Sequence, residues 1–182
     1  MTRSFAFFGA TYLAVMLGGS AVLRHASADA PVYRAGDAIT LAQLCAGERS
    51  AREEHRDTCT AMLGVVVRGA QRRGMSVGAY ARSYSAVFRV QRRPWLLELR
   101  RDGSRPESWP AASWSAYRED WLSLVEHVDA FVAGEVAPVC GDEPEHFGSR
   151  QDAARLPSTW ARACPELDDE DQLFFRRAGD AS

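Results

Sequence analysis

The sequence predicts an α+β domain that is mainly α: one helical body with a small β element near its C-terminus. Apolar residues recur at three- and four-residue spacing over much of positions 40–132, the period of a helix face. Two short aromatic-rich pieces, around His146 and Phe174, break that period late in the chain. At 182 residues, with 46% hydrophobic and 25% charged residues, the chain suits one core and leaves little room for two.

Thr40 and Gln43 have the spacing of a capping box ahead of Leu41, Leu44 and Cys45, which predicts a short helix over 40–48. The next eleven residues, GERSAREEHRD, hold one apolar side chain, Ala51, and read as a loop or polar turn. From about Asp57 a helix places Met62, Leu63, Val66, Val67 and Ala70 on one stripe, and Gly74 stops it. Ser76 caps a further helix with Val77, Tyr80, Ala81 and Tyr84 at helical spacing. Pro94 opens a brief helical turn to Arg101, ended by Asp102 and Gly103. After the irregular stretch DGSRPESWPAAS, Ser113 or Ser115 caps the clearest helix. Its apolar positions are Tyr117, Trp121, Leu124, Val125, Val128, Phe131 and Val132, and Gly134 closes it. Beyond Val136 only two short strands are expected, around His146 and Phe174.

The first 30 residues are a separate matter. Arg3 precedes 19 uncharged residues, 5–23, followed by Arg24-His25 and the small-residue site Ala26-Ser27-Ala28. That order is a secretory signal, cleaved after Ala28 or retained as a membrane anchor. Either way the remainder, 31–182, is expected to be exported, to the periplasm or cell envelope, with the membrane touched only through the N-terminal segment. Four cysteines in an exported chain imply disulfides. Three pairings of Cys45, Cys59, Cys140 and Cys164 are possible. The local pairs Cys45–Cys59 and Cys140–Cys164 are favoured, each worth roughly 3 kcal/mol in the chain-entropy account. With no C-x2-C spacing, a zinc site has no support.

Charge narrows the function. The 22 basic residues are all arginine and balance 24 acidic ones to a net charge of −2, a poor footprint for nucleic acid. There is no P-loop, no G-x-G-x-x-G and no G-x-S-x-G, and nothing calls for a cofactor or a metal. The acidic run 168–171 lacks the spaced ligands of a calcium loop. Among single residues Glu48 stands out, because it ends an apolar helix where desolvation raises a carboxyl pKa towards that of a general acid. Glu53 and Glu54 follow closely enough to act as a second carboxylate, or form a solvated cluster with Arg49, Arg52, His55 and Arg56. His146 lies between two cysteines, where a disulfide loop would hold it as a donor. Trp109 and Trp114 border the irregular stretch, where a ring face could stack on a sugar. Trp95, Trp121 and Trp160 read as core, and His127 as surface.

Three segments together resemble the cell-wall hydrolase family of spore cortex-lytic enzymes and related phage-borne hydrolases. They are LAQLCAGERSAREEHRDTCTAMLGVVVRGAQRRG, WSAYREDWLSLVEHVDAFVAGEVAPVC, and EHFGSRQDAARLPSTWARAC followed by LFFRR, spanning roughly 40–177. The resemblance implies a lysozyme-like helical domain, with the catalytic glutamate falling on Glu48. The family's second glutamate, four residues on, is here Arg52, with glutamates at 53 and 54 instead. The implied activity is cleavage of the MurNAc–GlcNAc bond of peptidoglycan by a lytic transglycosylase or glycosidase, acting as a monomer on glycan strands. Glu48 would be its acid and base, with His146, Trp109, Glu53 and Glu54 around the substrate. The alternative is a non-catalytic exported protein that binds glycan or serves as an envelope structure.

Overall fold

The computed structural model describes residues 30–88, 93–140, 143–167 and 172–178. Met1–Ala30 and Pro31–Ser182 are separate units; the expected signal or anchor over 5–23 and the acidic run 168–171 lie outside the described residues. No helix among the described residues is long and apolar enough to cross a membrane. The second unit is α+β and mainly α. Its helices are α1 (Asp37–Glu48), α2 (Arg56–Arg73), α3 (Val77–Tyr84), α4 (Pro94–Glu98) and α5 (Ala111–Ala133). Then come β1 (His146–Gly148), the short α6 (Arg150–Ala153), β2 (Trp160–Ala163) and β3 (Leu173–Arg177).

Helix α1 is the centre. Leu41, Ala42, Leu44 and Cys45 are fully buried and Ala46 nearly so, so apolar side chains point inward on every side. Helices α3 and α5 pack against it, with α2 and α4 completing the surround. One of its buried polar residues, Gln43, donates to the carbonyls of Leu99 (3.2 Å) and Leu97 (3.5 Å), the acceptors a buried amide needs. These bonds hold the segment after α4 over the helix. Leu96, Leu99, Trp121, Leu124 and Val128 close the core from that side, and Trp121 Nε1 donates to the Arg100 carbonyl at 2.7 Å.

Several helix ends differ from expectation. α1 begins a turn earlier than 40, after Gly36 with its φ of +86°. Thr40 does not cap it: it lies inside the helix, where its hydroxyl donates back to the Gly36 carbonyl and accepts from Arg82 Nη1 at 2.7 Å. α4 stops at Glu98 rather than Arg101. α5 begins at Ala111 behind Pro110; Ser113 Oγ lies inside the first turn, donating to the Pro110 carbonyl and accepting from Trp109 Nε1. In α2 the buried stripe includes Val65, while Val67 is only half-buried. The ends at Ser76, which accepts the Ala79 N–H, and at left-handed Gly74 and Gly134 are as expected.

The sheet has three antiparallel strands in the order β1-β3-β2, one more than expected. Phe147 faces Phe174 in one pair and Ala163 faces Phe174 in the other, so the fully buried Phe174 is the sheet's root in the core. Cys45 is bonded to Cys59, tying the last turn of α1 to the first of α2, and Cys140 to Cys164, tying the chain after α5 to the end of β2. Both are the local pairs. Removing the largest fully buried side chain tests the core: Trp121→Ala should cost about 3–5 kcal/mol in chemical denaturation, without loss of either disulfide.

Candidate active site

Glu48 is the last residue of α1, where a helix buried along most of its length meets solvent. The helix end is crowded. A Cβ on Gly47 would lie 2.5 Å from Val87 Cγ1 and 2.6 Å from Leu96 Cδ2, so glycine is what lets those two side chains close over the backbone just before the acid. A groove of about 440 Å³ opens beside Glu48. Tyr84 and Ser85 line it from the end of α3, residues 146–148 from β1, and Ser149, Asp152, Arg155 and Leu156 from the cap of α6, its helix and the turn after it.

The Glu48 carboxyl is held above the usual carboxylate range. Desolvation is the main cause, and the nearby Asp152 adds to it. The negative end of the α1 dipole acts in the same direction. Two influences oppose: the Ser85 hydroxyl, which donates to Oε1, and Arg93. Ser85 is buried, and its oxygen accepts the Val87 N–H at 3.0 Å, so its proton is aimed at the carboxyl.

Asp152 has the opposite setting. It is exposed and closes a capping box, accepting from Ser149 Oγ at 2.8 Å and from the Ser149 N–H at 3.0 Å. The hydrogen bonds from Ser149 hold its carboxyl below the usual range, with smaller help from Arg155 and His146. Two carboxyls on one groove thus have their affinities for the proton pushed apart, the arrangement that separates an acid from a fixed anion. His146 is half-buried, and burial lowers its pKa against a partial offset from Asp152, so the ring is neutral at neutral pH. Tyr84 and Trp160 meet it edge-on at 5.8 and 5.9 Å.

Of the residues singled out from sequence, Glu48 and His146 come together on this groove. Glu53 and Glu54 do not: both are exposed on a 3-10 turn, Glu53–His55, where Glu54 pairs with Arg52 (3.6 Å) and His55 (3.4 Å). Trp109 is also elsewhere. It packs between Trp95 (4.2 Å) and Tyr117 (4.5 Å), beside the buried Trp114, so its ring faces aromatic neighbours and not the groove. Trp160 is half-buried on the edge strand β2, not core. His127 is not plain surface either, since its Nε2 lies 2.9 Å from Thr60 Oγ1. The sulfurs of Cys140 and Cys164 lie near the Glu166 carboxylate, but a disulfide has no thiolate to offer a metal. Asp152, Ser85 and Tyr84 were missed; only Asp152 left a sequence trace, the Ser149-x-x-Asp152 capping pattern.

Compared with known protein families, with curated proteins and with solved structures, the chain matches none at a significant level. The two disulfides fit an oxidising, exported environment.

Two outcomes follow from the electrostatics. The Ser85 bond favours the charged carboxylate, so Ser85→Ala should raise the Glu48 titration midpoint further, read by carboxyl-carbon NMR. A carboxyl whose folded pKa is raised binds more protons folded than unfolded, so its contribution falls as pH rises above 4.5, the ordinary value. Glu48→Gln should therefore unfold at higher denaturant than the parent at pH 7, and the advantage should vanish below about pH 4.

Proposed function

We propose that this protein cleaves peptidoglycan glycan strands at the MurNAc–GlcNAc bond, as a lytic transglycosylase or glycosidase working in the periplasm or cell envelope. The observation that carries the reading is Glu48: a carboxyl that tends to keep its proton, hydrogen-bonded by a buried serine, at the edge of an open groove. The family resemblance, drawn from sequence, put the acid at this residue independently of its surroundings.

The chemistry needs two proton transfers through one carboxyl. Glu48 donates its proton to the glycosidic oxygen as the bond to the anomeric carbon breaks, and the leaving sugar departs as an alcohol. The carboxylate left behind then takes the proton of a hydroxyl on the sugar that carries the anomeric carbon, while that hydroxyl's oxygen closes an anhydro ring on this carbon. Positive charge builds on the ring between the two steps. Asp152, ionised and near Glu48, supports both: its charge holds the proton on Glu48 at the start and offsets the cationic ring afterwards. His146 orients the substrate. In a hydrolase, water replaces the internal hydroxyl with the same acid.

Mass spectrometry of purified sacculi, incubated with the oxidised protein, tests the reading. The parent should release anhydro-muropeptides, and Glu48→Gln should lose about a hundred- to ten-thousandfold of that activity, as removal of a general acid does. Reducing ends in place of anhydro ends would make it a hydrolase. Sacculus binding with no new chain ends would overturn the reading in favour of a glycan-binding protein, and cleavage retained by Glu48→Gln would remove its acid. Asp152→Asn should lower cleavage while leaving sacculus binding nearly unchanged.

A further inference from the structure

We propose that Tyr84 is a positioning residue that fixes His146 as a neutral imidazole with its proton on Nε2, so that the ring offers an N–H donor to a sugar oxygen in the groove. The inference deepens the reading above and takes the sugar from it; the position of the proton does not depend on it.

The Tyr84 hydroxyl, with one proton to give, lies 2.6 Å from His146 Nδ1, 3.2 Å from the Phe147 nitrogen and 3.4 Å from the Phe147 carbonyl. The Phe147 N–H can only donate, so it takes a lone pair of the tyrosine oxygen. Nδ1 and the carbonyl then compete for the tyrosine proton. The Nδ1 contact is shorter by 0.8 Å (3.4 less 2.6 Å) and lies at the length of a strong hydrogen bond, whereas the other is at the limit. A 2.6 Å contact is also shorter than the about 2.7–3.2 Å usual when an N–H donates to oxygen, so it suits the tyrosine O–H as donor and not the reverse. Burial also pushes the Tyr84 pKa up, which keeps the hydroxyl a donor. Nδ1 is therefore the acceptor and Nε2 carries the ring's proton.

The backbone explains why the hydroxyl is there. β1 is an edge strand, paired only with β3, and the amide and carbonyl of Phe147 point away from that partner to the tyrosine. One hydroxyl thus ends the sheet and orients the ring next to it. Tyr84 is itself fixed at the C-terminal end of α3, stacked on Tyr80 at 5.5 Å and edge-on to Phe147 at 5.2 Å. With Nδ1 occupied, Nε2 is the ring nitrogen left for a ligand, and His146 lines the groove.

The test reads the proton directly. Nitrogen-15 NMR of histidine-labelled parent protein, above the His146 pKa, should find Nε2 protonated and Nδ1 bare. In Tyr84→Phe the two nitrogens should move towards each other as the tautomers mix. Nδ1 protonated in the parent, or a folded Tyr84→Phe with an unchanged ring, would overturn the proposal. The parent spectrum decides even if Tyr84→Phe does not fold. A second comparison uses sacculus binding in the Glu48→Gln background. His146→Gln places an amide donor near the position of Nε2 and should bind within a few-fold of its parent. His146→Asn places one near Nδ1 and should bind about tenfold more weakly, the loss of one neutral hydrogen bond. Asn binding as well as Gln would count against the Nε2 donor. If the background protein bound no sacculus at all, the glycan reading would fail while the NMR result still judged the tautomer.

Discussion

The burial of α1 is the constraint on which the rest depends. A helix with apolar side chains on every side must be covered on every side, and it is surrounded by α2, α3, α4 and α5. One of its buried polar side chains, Gln43, is satisfied by chain returning overhead, through the carbonyls of residues 97 and 99. Its last residue inherits the consequence. A carboxylate at the exit of such a helix is partly stripped of water and faces the negative end of the dipole, so Glu48 is biased towards its neutral form before any other group is considered. The Cys45–Cys59 bond fixes that exit against α2 one turn before the acid.

The groove is completed by a different part of the chain with different physics. Asp152 is neither buried nor paired with an arginine at hydrogen-bonding distance among the described contacts. Its charge is kept by the serine of its own capping box, a local motif that needs four residues and no core. One carboxyl is set by tertiary burial and the other by local hydrogen bonding. The main causes are separate, although the Asp152 charge adds to the shift of Glu48, so a change in core packing that relaxed Glu48 would leave the Ser149 bonds to Asp152 in place.

Sequence reading recovered what periodicity encodes. The five main helices, the caps at Ser76, Gly74 and Gly134, the place of Glu48 at the end of α1 and that of His146 on a short strand all carry local signals. Errors arose where side chains act at long range. Thr40 looked like a cap because its type and spacing suit one, but Arg82, from α3, claims its oxygen. Trp160 was assigned to the core by size, while its strand lies at the sheet's edge. β2 itself has no alternating pattern to reveal it: Trp-Ala-Arg-Ala is recognisable as a strand only once β3 lies beside it. Trp109 looked available because it borders an irregular segment, and the aromatic residues that occupy its faces come from α4 and α5. Ser85 and Tyr84 gave no local signal, because their partners are 37 and 62 residues away along the chain.

The contact at Gly47 has a consequence for how this sequence can drift. Any larger residue there would collide with Val87 and Leu96, which reach the helix end from two separate segments. Positions 47, 87 and 96 thus form one spatial unit. In descendants of this chain, a methyl gained at 47 would have to be matched by bulk lost at 87 or 96, or the acid that follows would be displaced. Variation at those three sites should be correlated, and correlation of that kind marks the helix exit even in a chain whose overall sequence has diverged beyond recognition.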